Sequence, residues 1–80
     1  MPANTRHRPL ADIAREIRRT WRPINFAAVP YVDAMAQLDQ ITDTYIAESA
    51  ASVVRYFLSN AGSWRGEDAK RIKAELKGLL

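Results

Sequence analysis

The sequence predicts an all-α protein, a compact bundle of three to four short helices, on three observations. Apolar residues recur every three to four positions in four separate segments, which is the spacing of one helical face. No segment alternates apolar and polar residues over the length of a strand. The 80 residues are 48% hydrophobic and 26% charged, which is typical of globular proteins and not of disordered or membrane-embedded chains.

The first helix is predicted from about Pro9 to Arg22. Proline suits the first turn, because its missing N–H would have no partner there. Pro23 ends the helix, since its ring disfavours helical geometry at the preceding residue and removes a hydrogen-bond donor. The apolar face of this helix consists of Leu10, Ile13, Ala14, Ile17 and Trp21.

The second helix is predicted to open at Pro30 and to end near Asp39. Its apolar stripe consists of Tyr31, Ala34, Met35, Leu38 and Ile41. The third, central helix is predicted to start between Thr44 and Glu48, and its N-cap candidates are Thr42, Asp43 and Thr44. Its wide apolar face consists of Ile46, Ala50, Val53, Val54, Phe57, Leu58 and Ala61.

The stretch Phe57–Lys73 joins the third helix to a fourth. Gly62 is predicted to be the C-cap of the third helix, where glycine adopts a left-handed conformation without a Cβ clash. Ser63 is the N-cap candidate of the fourth helix, and Trp64 is predicted to fold back over the core. We favour a hinge between the third and fourth helices over a ligand-binding loop. The apolar side of the fourth helix consists of Ala69, Ile72, Leu76 and Leu79.

The length indicates one domain, with residues 1–8 as a flexible N-terminal segment and residues 9–80 as a single helical domain. The chain contains no cysteine, which excludes disulfides, a thiolate nucleophile and a cysteine zinc site. No apolar run approaches the roughly 20 residues that span a bilayer, and the polar N-terminal residues lack the apolar stretch of a secretory signal. We therefore expect a cytoplasmic protein without a membrane partner.

Charge is distributed unevenly along the chain. The net charge of +3 divides into +4 for residues 1–23, −4 for residues 24–54 and +3 for residues 55–80. Four arginines of the first helix share one side of it and form the candidate binding surface, because a guanidinium fork fits carboxylates and phosphates. The alternative is a solvated face, on which Asp12 and Glu16 pair with arginines along the helix. The candidate binding surface, called the arginine stripe below, consists of Arg15, Arg18, Arg19 and Arg22.

Nucleic-acid binding is an alternative that meets only the electrostatic criterion, a high isoelectric point of about 9.7. A helix-turn-helix needs a second helix that offers polar base-reading side chains. The turn could lie at Gly62–Gly66, but the helix after it offers mostly lysine and glutamate outward.

Catalysis, metals and cofactors are not expected. His7 is the sole histidine and lies in the polar N-terminal segment. The acids Asp33, Asp39, Asp43 and Glu48 match no metal-binding loop. The sequence "GSWRG" lacks the Lys-Ser/Thr of a phosphate-binding loop and follows no strand.

Seven aromatic residues are enough to fill the core, and core or boundary packing is the default for all of them. If Tyr31, Tyr56 or Trp64 were exposed beside the arginine stripe, an aromatic and arginine patch would result. That composition is typical of protein-binding hot spots, so these three residues are the candidate aromatic anchors.

The segments "PYVDAM" (Pro30–Met35), "YFLSNAGSWRG" (Tyr56–Gly66) and "AKRIKAELK" (Ala69–Lys77) resemble small uncharacterised helical proteins encoded by bacteriophages and other mobile elements of Gram-positive bacteria. The resemblance spans most of residues 10–78. It implies a non-enzymatic protein that binds and modulates a host protein or nucleoprotein complex, such as an anti-CRISPR or anti-restriction inhibitor in the bacterial cytoplasm. A small basic DNA-binding regulator and an oligomeric assembly component, for example a homodimer, are the alternatives.

Overall fold

Four helices and one short strand pair are found in a computed structural model that describes residues 7–80. The helices are α1 (Leu10–Thr20), α2 (Val29–Met35), α3 (Ala50–Ser59) and α4 (Glu67–Leu79). Strands β1 (Thr44–Tyr45) and β2 (Glu48–Ser49) are antiparallel, with Thr44 opposite Ser49 and Tyr45 opposite Glu48. The prediction of an all-α bundle is therefore confirmed only in its coarser part, a mostly helical fold. Two-residue strands are too short to produce an alternating pattern.

Helix α1 begins one residue later and ends two residues earlier than predicted. Pro9 is its N-cap residue, and Trp21 leaves the helix in an extended conformation. The first N–H groups of α1 find partners in the chain that follows α2, because Leu10 donates to the Asp39 carbonyl (2.8 Å) and Ala11 to the Leu38 carbonyl (2.9 Å). These bonds satisfy donors that a helix leaves free and tie the start of α1 to the end of α2.

Helix α2 is shorter than predicted, since it ends at Met35 and not near Asp39. It packs against both α1 and α3. Leu38 reaches the core from the turn after the helix, and Ile41 is half-buried against the core. Apolar periodicity continued past the real end of the helix because turn residues also contribute to the core.

Helix α3 begins at Ala50, so the predicted start between Thr44 and Glu48 is wrong. Its cap is Ser49, whose hydroxyl oxygen accepts from the N–H of Ser52 (3.1 Å), and not Thr42, Asp43 or Thr44. Ile46 does not lie on the buried face of this helix, because it sits in the turn between β1 and β2 with φ 56° and is 88% exposed.

The carboxylate of Asp43 instead holds the turn before β1. Its Oδ2 accepts from the N–H groups of Asp39 (3.1 Å) and Gln40 (2.9 Å). The side chain thus supports a turn and not a helix end.

The α3–α4 connection also differs from the prediction. Helix α3 is capped at Asn60, whose φ of −105° is not left-handed, and Gly62 has no positive φ. The glycine that uses its conformational freedom is Gly66, the N-cap of α4, with φ 105°, and Ser63 is not the cap. Trp64 is 4% exposed, which confirms that it folds back over the core.

The core contains an aromatic cluster at the joint of α1, α3 and α4. The rings of Trp21 and Trp64 are stacked, with centroids 5.0 Å apart, and the ring of Phe57 is nearly perpendicular to both in T-shaped contacts. All three side chains are buried. Within residues 7–80, no helix has the length and apolar character needed to cross a membrane.

Candidate functional site

The arginine stripe lies at the surface, and three of its four members face carboxylates of the same chain. Arg15 contacts Asp12 (3.0 Å), Arg18 contacts Asp33 of α2 (2.7 Å), and Arg19 lies 3.5 Å from Glu16. Arg22 follows the end of α1, and its Nε makes a long bond (3.4 Å) to the Arg18 carbonyl. Among residues 7–80 no carboxylate lies within 4 Å of the Arg22 guanidinium.

Glu16 is the centre of an ion-pair network between α1 and α4. Its carboxylate contacts Arg71 (2.7 Å), Arg8 (2.9 Å) and, at a longer distance, Arg19. Arg8 also binds Glu75 (2.7 Å), and Arg71 also binds Asp68 (2.9 Å). The Glu16 side chain is only 14% exposed, so this part of the network is shielded from water.

The ion-pair network changes the pKa of Glu16. The hydrogen bond from Arg71, followed by the one from Arg8, lowers the pKa of Glu16 from 4.5 to about 2. Both partners favour the charged carboxylate, and they outweigh the opposing effect of its partial burial. Arg8 falls within the segment 1–8 that was predicted to be flexible, yet it contacts both α1 and α4. Residues 1–6 lie outside the described residues.

The candidate aromatic anchors do not lie together on the stripe. Trp64 is in the core, so its ring is not offered to a partner. Tyr31 of α2 and Tyr56 of α3 form a tilted pair with centroids 5.6 Å apart, and Tyr56 is half-exposed. Asp33, which contacts the stripe through Arg18, is two positions from Tyr31 and therefore about 200° around α2. The tyrosines and the stripe thus lie on different sides of α2.

A second basic surface lies on α4, and the sequence reasoning did not single it out. Four of its residues, called the basic face below, are Arg65, Lys70, Lys73 and Lys77. They border a groove of about 440 Å³ whose other lining residues are Trp64, Gly66, Ala69 and Ala74. The lysines follow i, i+3 and i+7 spacing, the same signal that identified the arginine stripe. This surface was missed because the outward lysines of this helix were considered together with its glutamates and not by their own spacing.

One lysine of the basic face is held in place by the backbone. Lys73 donates from Nζ to the carbonyl oxygen of Trp64 (2.7 Å). Partial burial lowers the pKa of Lys73, and the positive charges of Lys77 and Arg65 lower it further. Lys73 therefore lies close to the positive charges of Lys77 and Arg65.

No cluster of metal-binding side chains forms among residues 7–80. His7 is exposed, and no group of three or more His, Cys, Asp or Glu side chains is placed to hold a metal ion there. A cleft of about 570 Å³ lies beside His7 and Arg8, and its other lining residues are Pro9, Leu10, Asp39, Gln40, Ile41 and Leu79.

Comparison with known protein families, with curated proteins and with solved structures finds no match to this chain.

Proposed function

We propose that the protein is a non-enzymatic interaction protein that binds and modulates a macromolecule of a bacterial host through the arginine stripe of α1. The observation that carries this proposal is the exposure of the stripe: the side chains of Arg15 and Arg19 are 74% and 67% exposed, and that of Arg18 is 49% exposed. The ion pairs of Arg15 and Arg18 lie at the surface, where such pairs contribute about 0–1 kcal/mol.

Weak internal pairs leave the guanidinium groups available. A partner that offers carboxylates or phosphates replaces Asp12 or Asp33 at little cost and gains charge-assisted hydrogen bonds. The exposed Tyr56 provides a separate aromatic contact on the far side of α2. The resemblance to phage and mobile-element proteins supports a host-defence target, with an anti-CRISPR or anti-restriction role in the cytoplasm.

Affinity capture from a Gram-positive bacterial lysate tests the proposal with two charge-matched double variants. Arg15→Glu/Arg22→Glu reverses two of the four charges of the stripe, and Lys70→Glu/Lys77→Glu reverses the same number of charges on α4. We expect the first variant to lose the specific host partner and the second to retain it, with both variants folded by circular dichroism. Capture of every specific partner by the stripe variant at the wild-type level would remove the stripe from the function.

A symmetric oligomer is a second candidate that one observation favours. Phe26 and Ile46 are 86% and 88% exposed, which leaves large apolar side chains in water. Light scattering across a range of protein concentrations tests this candidate. A strict monomer at high concentration contradicts it.

A further inference from the structure

The groove along α4 has a positively charged lining. All four charged residues that line it are cations, the basic face Arg65, Lys70, Lys73 and Lys77. Among residues 7–80 no carboxylate lies within 4 Å of any of these four side chains. The positive potential of this surface is therefore not reduced by close ion pairs. Along most of the arginine stripe, close ion pairs do reduce it.

Two of the three carboxylates of α4 bind other partners. Asp68 binds Arg71 of the same helix, and Glu75 binds Arg8. At about 100° per residue, Asp68 and Glu75 lie on the opposite side of the helix from Lys70 and Lys77. Helix geometry thus separates these two acids from the lysines. The third acid, Glu67 in the first turn, lies about 60° from Lys70 around the helix, but among residues 7–80 its carboxylate is not within 4 Å of a lysine of the basic face.

We propose that the basic face of α4 binds the phosphate backbone of a nucleic acid. Lys70 and Lys77 are seven residues apart, which places them about 10 Å apart along the helix axis, with Lys73 between them. A row of cations of this length matches a row of phosphates, which repeat every 3.4 Å of axial rise along one DNA strand. Lysine binds phosphate as a compact point charge without the fixed orientation of the arginine fork, which suits contact with a backbone of any base sequence.

The groove offers no surface for stacking bases. Its one aromatic residue, Trp64, is 4% exposed because its ring is stacked on Trp21 in the core. Binding is therefore directed to the backbone, independent of base sequence and strongly dependent on salt. Partial burial, followed by the positive charges of Lys77 and Arg65, lowers the pKa of Lys73, and phosphates in the groove offset the repulsion from these two neighbours.

Fluorescence anisotropy with a labelled DNA duplex and a labelled single strand of equal length tests this inference. If three to four phosphates are contacted, duplex affinity falls about 40- to 150-fold between 50 and 200 mM salt. Lys70→Glu/Lys77→Glu is expected to weaken binding at least about tenfold at low salt and to reduce the magnitude of the salt slope by about 2. Binding of either form of DNA supports the inference, since both carry the backbone, and their ratio tells which form is preferred.

The control is Arg15→Glu/Arg22→Glu, which changes the net charge equally but not in the groove. It is expected to stay within about threefold of the wild type, because neither arginine lines the groove. Equal weakening by both double variants overturns the inference, as does a wild type that binds neither DNA at 50 mM salt. Binding of labelled polyglutamate in place of DNA, lost in the lysine variant, overturns it in favour of an acidic protein partner.

The inference is independent of the proposed function, because each rests on its own surface. Loss of host capture in the arginine variant with unchanged DNA binding is the joint expectation. If the arginine variant retains host capture, the proposed function fails while the lysine variant still tests the nucleic-acid site.

Discussion

Helix α4 has two charged sides that differ in what they face. On one side Arg71 reaches across to Glu16 of α1, and Arg8 bridges Glu16 and Glu75. On the other side the three lysines of the basic face meet no carboxylate among residues 7–80. The same helix therefore carries charges that hold the fold together and charges that are left for a partner. The number of charges does not separate these roles; the position of opposing groups in space does.

The largest expected effect tests whether ion pairs or aromatic packing hold α4 in place. Trp64→Ala removes a buried ring that stacks on Trp21 and meets the edge of Phe57. We expect the free energy of unfolding to fall by about 3–5 kcal/mol, measured by denaturant titration followed by circular dichroism. The conservative Trp64→Phe should lose less. A loss below about 1 kcal/mol for the alanine variant would show that the paired side of α4 is the main attachment.

The second prediction compares the shielded network with an exposed pair. Glu16→Gln removes the charge that Arg8 and Arg71 share, and we expect a loss of about 1–2 kcal/mol, because the carboxylate is mostly buried but its arginines are partly exposed. The control is Asp12→Asn, which removes the exposed pair with Arg15 and should cost at most about 0.5 kcal/mol. Equal losses in the two variants would contradict a special role for Glu16.

The pH dependence of stability sharpens the same comparison. The pKa of Glu16 is about 2 in the folded protein and has an ordinary value of 4.5, so between these values the unfolded chain binds more protons. The contribution of Glu16 is therefore fully present above about pH 4.5 and is lost as the pH falls towards 2. We expect the unfolding free energies of wild type and Glu16→Gln to differ at pH 6 and to converge near pH 2. A constant difference over this range would contradict the assignment.

The smallest effect is expected on the unpaired side. Lys70→Glu/Lys77→Glu changes charges that make no ion pair among the described residues, so the free energy of unfolding should change by less than about 0.5 kcal/mol. Thermal and denaturant unfolding measure this change. A loss above 1 kcal/mol would give the basic face a structural role and remove the distinction between the two sides of the helix.

Local patterns predicted a large part of the fold. The apolar positions of α1 and α4 and the burial of Trp64 are confirmed, because a helical face is set by residues three and four positions apart. The start of α3 was wrong, since Ile46 continues the apolar period but lies in a left-handed turn, a conformation that a β-branched residue rarely adopts. Only the strand pairing of residues 44–49 explains that position.

The candidate site was predicted less completely. The exposed position of the arginine stripe agrees with its place beside the apolar face, whereas Trp64 proved buried and the tyrosines lie on another side of α2. The contact of Glu16 with Arg19 follows from their spacing along α1. The contacts between α1, Arg8 and α4 could not be read from spacing, because Arg71 is 55 residues from Glu16 and Arg8 reaches Glu75 across 67 residues. The lysine spacing of α4 was visible in the sequence, but the absence of opposing carboxylates within the described residues was not.

The sequence by itself determined that this chain is mostly helical and that its apolar faces form the core, because both follow from the local 3.6-residue period of the backbone. Only the tertiary structure decided which of the described charges pair between different elements and which meet no opposing group, since those contacts depend on distances between side chains that are remote in the sequence. That difference separates the network around Glu16 from the basic face of α4.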